Sequence, residues 1–297
     1  MTSRGVAIVT DSTADLPTQL VKARGITVVP LTLNFEGRSL LDGVEIRPSE
    51  FYRKLPNATT HPTTSQPSPG QFAERYQALL ADHDSIVSIH ISEKLSGTYE
   101  SARQGAEMTD VRRVHVVDSQ LVSMSLGLIV LAAATLSAQG ADAESIVDKV
   151  SSMRPEVQTY FSVATLEFLR RGGRIGRASA LVGSVLQVKP VLCIRDGQVT
   201  PLERVRTFER ALNRVIELTR EVDRGRGVCV IVGHAGAEED AERVFRELEP
   251  VAETLMIQPL GPVVGAHAGP GVVGVGVYPA DVLPLGIKPA RSSSTTR

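Results

Sequence analysis

The chain has 297 residues, of which 42% are hydrophobic and 22% charged, and its formal net charge is −1 at pH 7. This length and composition are typical of a globular protein with one large domain or two smaller ones. The near-neutral charge, the lack of any run of five like charges and an aromatic content of 4% argue against nucleic acid as the main partner.

Two further features bear on the compartment of the protein. Cys193 and Cys229 each lie within an apolar, strand-like run, which predicts buried and reduced cysteines. The longest apolar stretch, residues 126–136, is too short to span a bilayer, and no signal-peptide pattern fits the N-terminus. We therefore expect a cytoplasmic protein.

The first half of the chain alternates short apolar strands with helices. This alternation favours a doubly wound parallel sheet with helices on both faces. The first helix follows Pro17, with Asp15 or Thr18 as its candidate cap. Strands are predicted at residues 6–9, 26–33, 85–91 and 114–117, and helices after 17, from 48, at 72–81, from the Ser96 bend to about 108, at 121–139 and at 143–153.

Residues 61–70 carry three prolines among several hydroxyl side chains. Proline lacks a backbone donor and disfavours helical geometry in the residue before it. The segment is therefore predicted to be a stiff, irregular loop.

Polar side chains follow three predicted strands of the first half, at Asp11-Ser12, at residues 92–96 and at Asp118-Ser119. Each cluster alone is explained equally well by helix capping. In a parallel sheet, however, the carboxyl ends of the strands share one edge, where ligands bind. A helix N-terminus there favours an anion. We predict that Ser96 binds an anionic head group and is not a reactive nucleophile.

The pattern changes after Arg154-Pro155, where strands and helices no longer alternate regularly. Asp196-Gly197 is a strong two-residue hairpin signal. The basic, glycine-rich loop at residues 170–176 matches no nucleotide-binding motif, and the glycines of residues 261–271 permit close backbone approach. Strands are predicted at residues 158–164, 191–194, 198–205, 228–232, 254–258 and 272–277, and helices at 166–171, 178–188, 208–221 and 238–248.

These patterns predict an α/β protein with two domains and a tail. The N-terminal domain, residues 1–155, has a parallel sheet, and the C-terminal domain, residues 156–282, has a mixed sheet. Residues 283–297 are rich in Pro, Ser, Thr and Arg without an apolar period, which predicts a disordered tail. No histidines or carboxylates stand at metal-ligand spacing, so no metal site is expected.

Seven short motifs, in order along residues 5–280, carry a family resemblance. The chain resembles the DegV family of bacterial fatty-acid-binding proteins. The matching motifs are Thr10-Asp11-Ser12, Thr64-Ser65-Gln66-Pro67-Ser68, Ser92-Glu93-Lys94-Leu95-Ser96-Gly97-Thr98-Tyr99, Gly172-Gly173-Arg174-Ile175, Lys189-Pro190, Val205-Arg206-Thr207 and His267-Ala268-Gly269-Pro270-Gly271.

The resemblance implies that one long-chain fatty acid, of about C14–C18, lies in a tunnel at the junction of the two domains. It implies that the hydroxyls of Thr64 and Ser96 bind the carboxylate, with His267 and Arg174 nearby. The other positions of the motifs that it places in the fatty-acid-binding site are Ser65, Gly97 and Thr98.

The resemblance also implies a lipid-binding carrier without catalytic residues or cofactors. Family members of the fatty-acid kinase type hold the acid while a separate kinase subunit phosphorylates its carboxylate, and the acyl phosphate then enters phospholipid synthesis. The expected partners are the fatty acid, that kinase and, transiently, a membrane. Arg206 is a weaker candidate for the kinase contact, since an exposed hairpin arginine explains it equally well.

Two other functions remain open on the sequence. The first is a serine hydrolase that uses Ser96, His267 and Asp118. Against it, Ser96 stands in Leu-Ser-Gly-Thr and not in a G-x-S-x-G elbow. The second is a binding module for a phosphorylated metabolite at the same edge of the sheet.

Overall fold

The computed structural model describes residues 5–181, 188–223 and 225–287. The strands are β1 (Val6–Asp11), β2 (Ile26–Val29), β3 (Thr32–Phe35), β4 (Arg38–Leu41), β5 (Thr63–Ser65), β6 (Ser85–His90), β7 (Val114–Asp118), β8 (Gln158–Ser162), β9 (Lys189–Arg195), β10 (Gln198–Val205), β11 (Val228–His234), β12 (Ala252–Pro259) and β13 (Val273–Pro279).

The α-helices are α1 (Thr18–Ala23), α2 (Pro48–Lys54), α3 (Pro69–Leu80), α4 (Thr98–Glu107), α5 (Met124–Ala138), α6 (Ala143–Met153), α7 (Glu167–Arg171), α8 (Phe208–Asp223), α9 (Glu238–Leu248) and α10 (Pro262–Ala268). Short 3₁₀ helices lie at Ser12–Ala14, Leu55–Asn57, Arg154–Glu156, Gly176–Leu181 and Glu249–Val251.

The strands form three sheets. The N-terminal half has a parallel sheet in the order β2-β1-β6-β7, with α3 and α4 packed together against one face and α5 and α6 against the other. The C-terminal half has a mixed sheet in the order β10-β9-β8-β13-β11-β12, in which only β11 and β12 run parallel among the described strands. The predicted α/β class with a parallel and a mixed sheet is confirmed.

A third, smaller sheet, in the order β4-β3-β5, is antiparallel and was not predicted. The sequence predicts one strand over residues 26–33, but Pro30 separates β2 from β3 because proline cannot donate to a strand ladder. The prediction of an irregular loop at residues 61–70 is wrong for Thr63–Ser65. Their N–H groups lie between the prolines and pair with β3.

α5 is the central element of the core. It is apolar on all sides, which is typical of a helix with no solvent-facing surface, and all but its last turn is buried. It packs against β1 on one side and against β11 and β13 on the other. The approach is so close that a Cβ at Gly276 would lie 2.5 Å from the Ser125 nitrogen.

The glycine-rich stretch before β13 forms a helix that was not predicted. Pro262 supplies the fixed φ that suits the first helical position. The helix, α10, ends at Gly269, where φ is +80°, a value that glycine adopts without strain. This helix carries His267 toward the N-terminal half.

Two other predictions about the C-terminal half need correction. Residues 176–181 of the predicted helix 178–188 form a 3₁₀ helix, and residues 182–187 lie outside the described residues. The predicted disordered tail begins too early, because Leu283 and Leu285 are buried in the core and the Ile287 carbonyl accepts a hydrogen bond from Thr254. Residues 288–297 lie outside the described residues, and the boundary at residue 155 stays a prediction.

Candidate functional site

A cavity lies between the two halves of the chain. It holds about 790 Å³ of space free of protein atoms, a volume that includes open solvent. Its walls are mostly apolar. The N-terminal half contributes residues such as Ile91, Leu95 and Met124, and the C-terminal half contributes residues such as Phe161, Ile194 and Val264.

The polar clusters predicted at the carboxyl edge of the parallel sheet do meet there. Asp11 Oδ2 accepts a hydrogen bond from the Ile91 N–H at 3.0 Å. Asp118 Oδ1 accepts one from the Glu93 N–H at 3.2 Å. The turn after β6 is thereby fixed from both neighbouring strands, and Leu95 and Ser96 within it line the cavity.

Four of the predicted site residues line this cavity: Thr64, Ser96, Arg174 and His267. Thr64 lies on β5, where it pairs with Leu33 of β3. Its Oγ1 is 2.7 Å from Nε2 of His267, in the last turn of α10. Residues 203 positions apart in the sequence thus form one hydrogen-bonded pair.

Ser96 is held at the start of α4. The N–H groups of Leu95 and Ser96 both donate to the Ser92 carbonyl, which forms a tight turn. The Ser96 hydroxyl accepts the Thr98 N–H at 3.3 Å and lies 2.8 Å from the Thr98 hydroxyl. The N-cap of α4 is Gly97, and the Ser96 contact is the local turn in which a serine hydroxyl accepts the N–H two residues on; it fixes the direction of the Ser96 side chain.

Arg174 is the one permanently charged side chain that lines the cavity within the described part of the chain. Its Nε donates to the Leu95 carbonyl at 3.0 Å and its Nη1 to the Gly172 carbonyl at 2.6 Å. Two carbonyls therefore orient the guanidinium beside the Ser96 turn. Guanidinium groups stay protonated at every working pH.

His267 is neutral at physiological pH. Burial, with the nearby charge of Arg174 and then His61 as smaller causes, lowers the pKa of His267 to about 4. Its Nδ1 is buried without a hydrogen bond and lies against Gly172, where a Cβ would be 2.3 Å away. The imidazole is therefore held between Thr64 and Gly172 as an uncharged group.

Three other predicted residues, Ser65, Gly97 and Thr98, lie beside the cavity and do not line it. Ser65 is exposed, because neighbouring residues of a strand face opposite sides, and its hydroxyl is 3.3 Å from Asn34 Nδ2. Thr98 is buried behind Ser96. Arg206 is exposed at the end of β10, away from the cavity.

Gln66 was not predicted to act in the site. Its amide covers Gly97 so closely that a Cβ there would lie 2.5 Å from Nε2, and it donates to Ser101 of α4 at 3.3 Å. Gln66 thereby connects the Thr64 segment to the Ser96 turn. In the sequence, only its position within the Thr64–Ser68 motif indicated that Gln66 could belong to the site.

Further hydrogen bonds join the two halves at the Ser96 turn. The Ser92 hydroxyl donates to the Gly197 carbonyl at 2.9 Å, and Lys94 Nζ donates to the Asp196 carbonyl at 2.9 Å. The β9–β10 hairpin, which the sequence predicted at Asp196-Gly197, therefore holds the turn in place from the C-terminal side.

The hydrogen bonds do not form a catalytic triad from Ser96, His267 and Asp118. His267 pairs with Thr64 and Ser96 with Thr98, while Asp118 accepts the Glu93 and Gln120 N–H groups. A serine nucleophile needs a base within hydrogen-bond reach. The arrangement therefore suits a Ser96 hydroxyl that binds a ligand and does not activate Ser96 as a nucleophile.

Among the described residues, no group of three or more His, Cys, Asp or Glu side chains is arranged to hold a metal ion. None of the described helices combines the length and the hydropathy needed to cross a bilayer. The two cysteines are buried and free, as predicted.

Comparison with known proteins agrees with the motifs. The family model described as an uncharacterised protein of the DegV family matches residues 5–280. The chain belongs to the DegV family. A DegV domain-containing protein of Streptomyces coelicolor is 41% identical over 277 residues, which cover 92% of this chain and 98% of that relative.

Solved structures of the family are similar along nearly the whole chain. A DegV family protein from Thermus thermophilus, described as binding fatty acid, is 38% identical with a TM-score of 0.88 and covers 93% of this chain and 99% of its own. DegV from Bacillus subtilis, described as a fatty acid binding protein, is 32% identical with a TM-score of 0.85, and the match covers 92% and 99% of the two chains.

Proposed function

We propose that this DegV family member binds one long-chain fatty acid in the cavity, with the carboxylate at Thr64, Ser96, His267 and Arg174. The observation that carries this proposal is the distribution of polarity. Thr64 pairs with His267, Ser96 and Arg174 line the same cavity, and most of the other described residues that line it are apolar. The family relatives that bind fatty acids support the same ligand class.

The energetics favour such a ligand. Transfer of an acyl chain from water contributes about 0.8 kcal/mol per CH₂, so a C16 chain gains on the order of 11 kcal/mol. That gain tolerates a partly desolvated carboxylate only if its oxygens are hydrogen-bonded. A phosphorylated metabolite, by contrast, would leave the apolar walls without a partner.

The hydrogen bonds within the site leave two hydroxyl protons for the carboxylate. When neutral His267 carries its proton on Nε2, it donates to Thr64 Oγ1, which frees the Thr64 proton. When the buried Thr98 hydroxyl donates to Ser96, the Ser96 proton is free in the same way. The carboxylate would then take one bond from each hydroxyl, and Arg174 would balance its charge. Thr98 thus supports Ser96 and does not contact the ligand.

The first experiment identifies what the protein carries. Lipid is extracted from the purified protein and analysed by mass spectrometry, and the expected result is a C14–C18 fatty acid at about one molecule per chain. Recovery of a phosphorylated small molecule in its place would contradict the proposal. Stoichiometric labelling of Ser96 by a fluorophosphonate would instead favour the hydrolase.

The second experiment tests the head-group assignment. Thr64→Ala and Ser96→Ala should each weaken palmitate binding by roughly 1–3 kcal/mol, the cost of leaving a buried polar group unpaired. Ser65→Ala is the matched control, because it removes a hydroxyl next to Thr64 on the opposite, exposed face of β5. Unchanged affinity in both site variants, or equal losses in all three, would contradict the assignment.

We propose further that the protein presents the bound acid to a separate fatty-acid kinase and has no catalytic residue of its own. The cavity is partly open to solvent, and in this proposal the kinase reaches the carboxylate through that opening. The test mixes palmitate-loaded protein with the kinase subunit of a fatty-acid kinase and ATP and measures acyl phosphate. Arg206→Ala, with exposed Arg204→Ala as control, shows whether Arg206 contributes to that contact.

A further inference from the structure

Asp42, just after β4, is an unusual buried acid. It is 3% exposed, and neither carboxylate oxygen makes a hydrogen bond. The nearest donors, the Ser12 hydroxyl and the Val263 N–H, offset only part of the cost of burial, which raises the pKa of Asp42 to about 7. A buried carboxyl without hydrogen bonds is stable only when it carries a proton.

A second buried acid, Asp15, lies on the other side of the same glycine. Its Oδ1 accepts the Gly261 N–H at 2.8 Å and its Oδ2 accepts the Ser123 hydroxyl at 2.5 Å. A Cβ at Gly261 would lie 2.7 Å from Asp15 Oδ1 and 3.4 Å from each Asp42 oxygen. Both carboxyls therefore contact the residue that precedes α10.

The other ionisable groups that act on this pair are acidic. Asp11 on β1 opposes ionisation of both carboxyls, although it is itself fully hydrogen-bonded to His90 and to neighbouring N–H and O–H groups. Tyr52 on α2 donates to the Leu260 carbonyl, and Glu238 of α9 acts on Tyr52. Burial, as the first cause, raises the pKa of Asp15 well above its ordinary value as well.

The pair is also connected to the cavity. Gly261 lies between Leu260 and α10, and α10 contributes Val263, Val264 and His267 to the cavity walls. Ser123, which donates to Asp15, lines the cavity too. A movement of either carboxyl would therefore displace one wall and the His267–Thr64 pair.

We propose that Asp42 keeps a proton next to Asp15 beneath Gly261 and that this proton positions α10, which makes fatty-acid binding depend on it. The inference rests on the proposed function. With the proton present, Asp15 holds the Gly261 N–H next to a neutral Asp42. Loss of the proton places a second negative charge beside the first in an apolar environment, where the two repel strongly, and the start of α10 moves away.

The experiment measures binding of radiolabelled palmitate between about pH 6.5 and about pH 8.5. Wild-type affinity should fall about tenfold or more over this range, since each pKa unit of proton linkage corresponds to a tenfold change. Asp42→Asn, which mimics the neutral acid, should bind with nearly constant affinity. Burial lowers the pKa of His267 to about 4, so it is neutral throughout this range, and exposed Asp148→Asn on α6 is the matched control.

A second measurement reports on the pair without any ligand. The unfolded chain loses the Asp42 proton near the ordinary value of 3.8, whereas the folded protein keeps it to about 7. Fewer protons on the unfolded state mean that the free energy of unfolding falls as the pH rises between these two values and then levels off. Urea unfolding of the wild type should show this fall, and Asp42→Asn should show less of it than Asp148→Asn.

The outcomes separate the two proposals. If the wild type binds no palmitate at any pH, the proposed function is contradicted. The urea unfolding series still tests whether Asp42 keeps its proton next to Asp15. Palmitate binding with the same pH profile in the wild type and in Asp42→Asn overturns the proton dependence. Identical unfolding series in those two proteins overturn the assignment of a retained proton to Asp42.

Discussion

The two ends of α10 are attached to the N-terminal half by different chemistry. At its start, the backbone N–H of Gly261 donates to the buried carboxyl of Asp15. At its end, the side chain of His267 meets the hydroxyl of Thr64 in the wall of the cavity. The first contact joins a buried carboxyl to a half-buried backbone N–H, whereas the second involves two half-buried neutral side chains.

The difference predicts different effects of substitution at the two ends. Loss of the Asp15 carboxyl leaves the N–H and O–H groups that donate to it without an acceptor. The Thr64 hydroxyl can make a second hydrogen bond, which a carboxylate can use. Substitutions at the first end should therefore lower the free energy of unfolding in addition to any effect on binding through the position of α10, and substitutions at the second should mainly lower the affinity for the ligand.

The largest expected effect is that of Asp15→Ala. It leaves the Gly261 N–H and the Ser123 hydroxyl without their acceptor, and each unpaired buried donor costs about 1–3 kcal/mol. The free energy of unfolding, measured in urea, should fall by about 2–4 kcal/mol. Asp15→Asn, which retains one acceptor oxygen, should lose less, and an unchanged value for Asp15→Ala would contradict the assigned role.

A smaller effect, on binding, is expected for Gly172→Ala. The backbone φ of Gly172 is −72°, which alanine adopts freely, but the new Cβ would lie 2.3 Å from His267 Nδ1. Displacement of His267 should weaken palmitate binding by about tenfold, or 1.4 kcal/mol.

Gly173→Ala is the matched control for this change. At Gly173 φ is +71° and a Cβ would meet no atom within 4 Å, so alanine costs about 1–2 kcal/mol of stability through strain and leaves affinity intact. If Gly173→Ala weakened binding as much as Gly172→Ala, the contact with His267 would not be the cause.

The smallest expected effect is that of Gln66→Ala. It removes the amide that covers Gly97 and donates to Ser101, so the Ser96 turn becomes less well held, and palmitate affinity should fall by about 0.5–1.5 kcal/mol. Exposed Gln77→Ala on α3 should have no effect. Equal affinities of the two variants would show that Ser96 is positioned without Gln66.

Elements that depend on local pattern were predicted well. The helices Ala143–Met153 and Glu238–Leu248 have the predicted bounds, because each has a clear apolar period within its own segment. The hairpin at Asp196-Gly197 follows from turn chemistry alone. The sequence also predicted that the polar clusters after β1, β6 and β7 lie together, because the carboxyl ends of parallel strands share one edge of the sheet.

Elements that depend on distant partners were not predicted. β5 is three residues long and exists because β3 offers a free edge, and α10 begins where Pro262 follows a glycine fixed by Asp15. Asp15 itself was a candidate helix cap, yet its carboxyl binds a residue 246 positions away. The sequence placed Thr64, Ser96, Arg174 and His267 at one site only through the family resemblance.

The position of α5 has a consequence for how the protein folds. The two sheets pack against different sides of this helix, whose buried surface is mostly apolar. Expression of one half without the other would expose that apolar surface to water, so we expect each half to depend on the other for its stability. The two-sheet layout should therefore denature in a single cooperative transition, despite its appearance of two separable lobes.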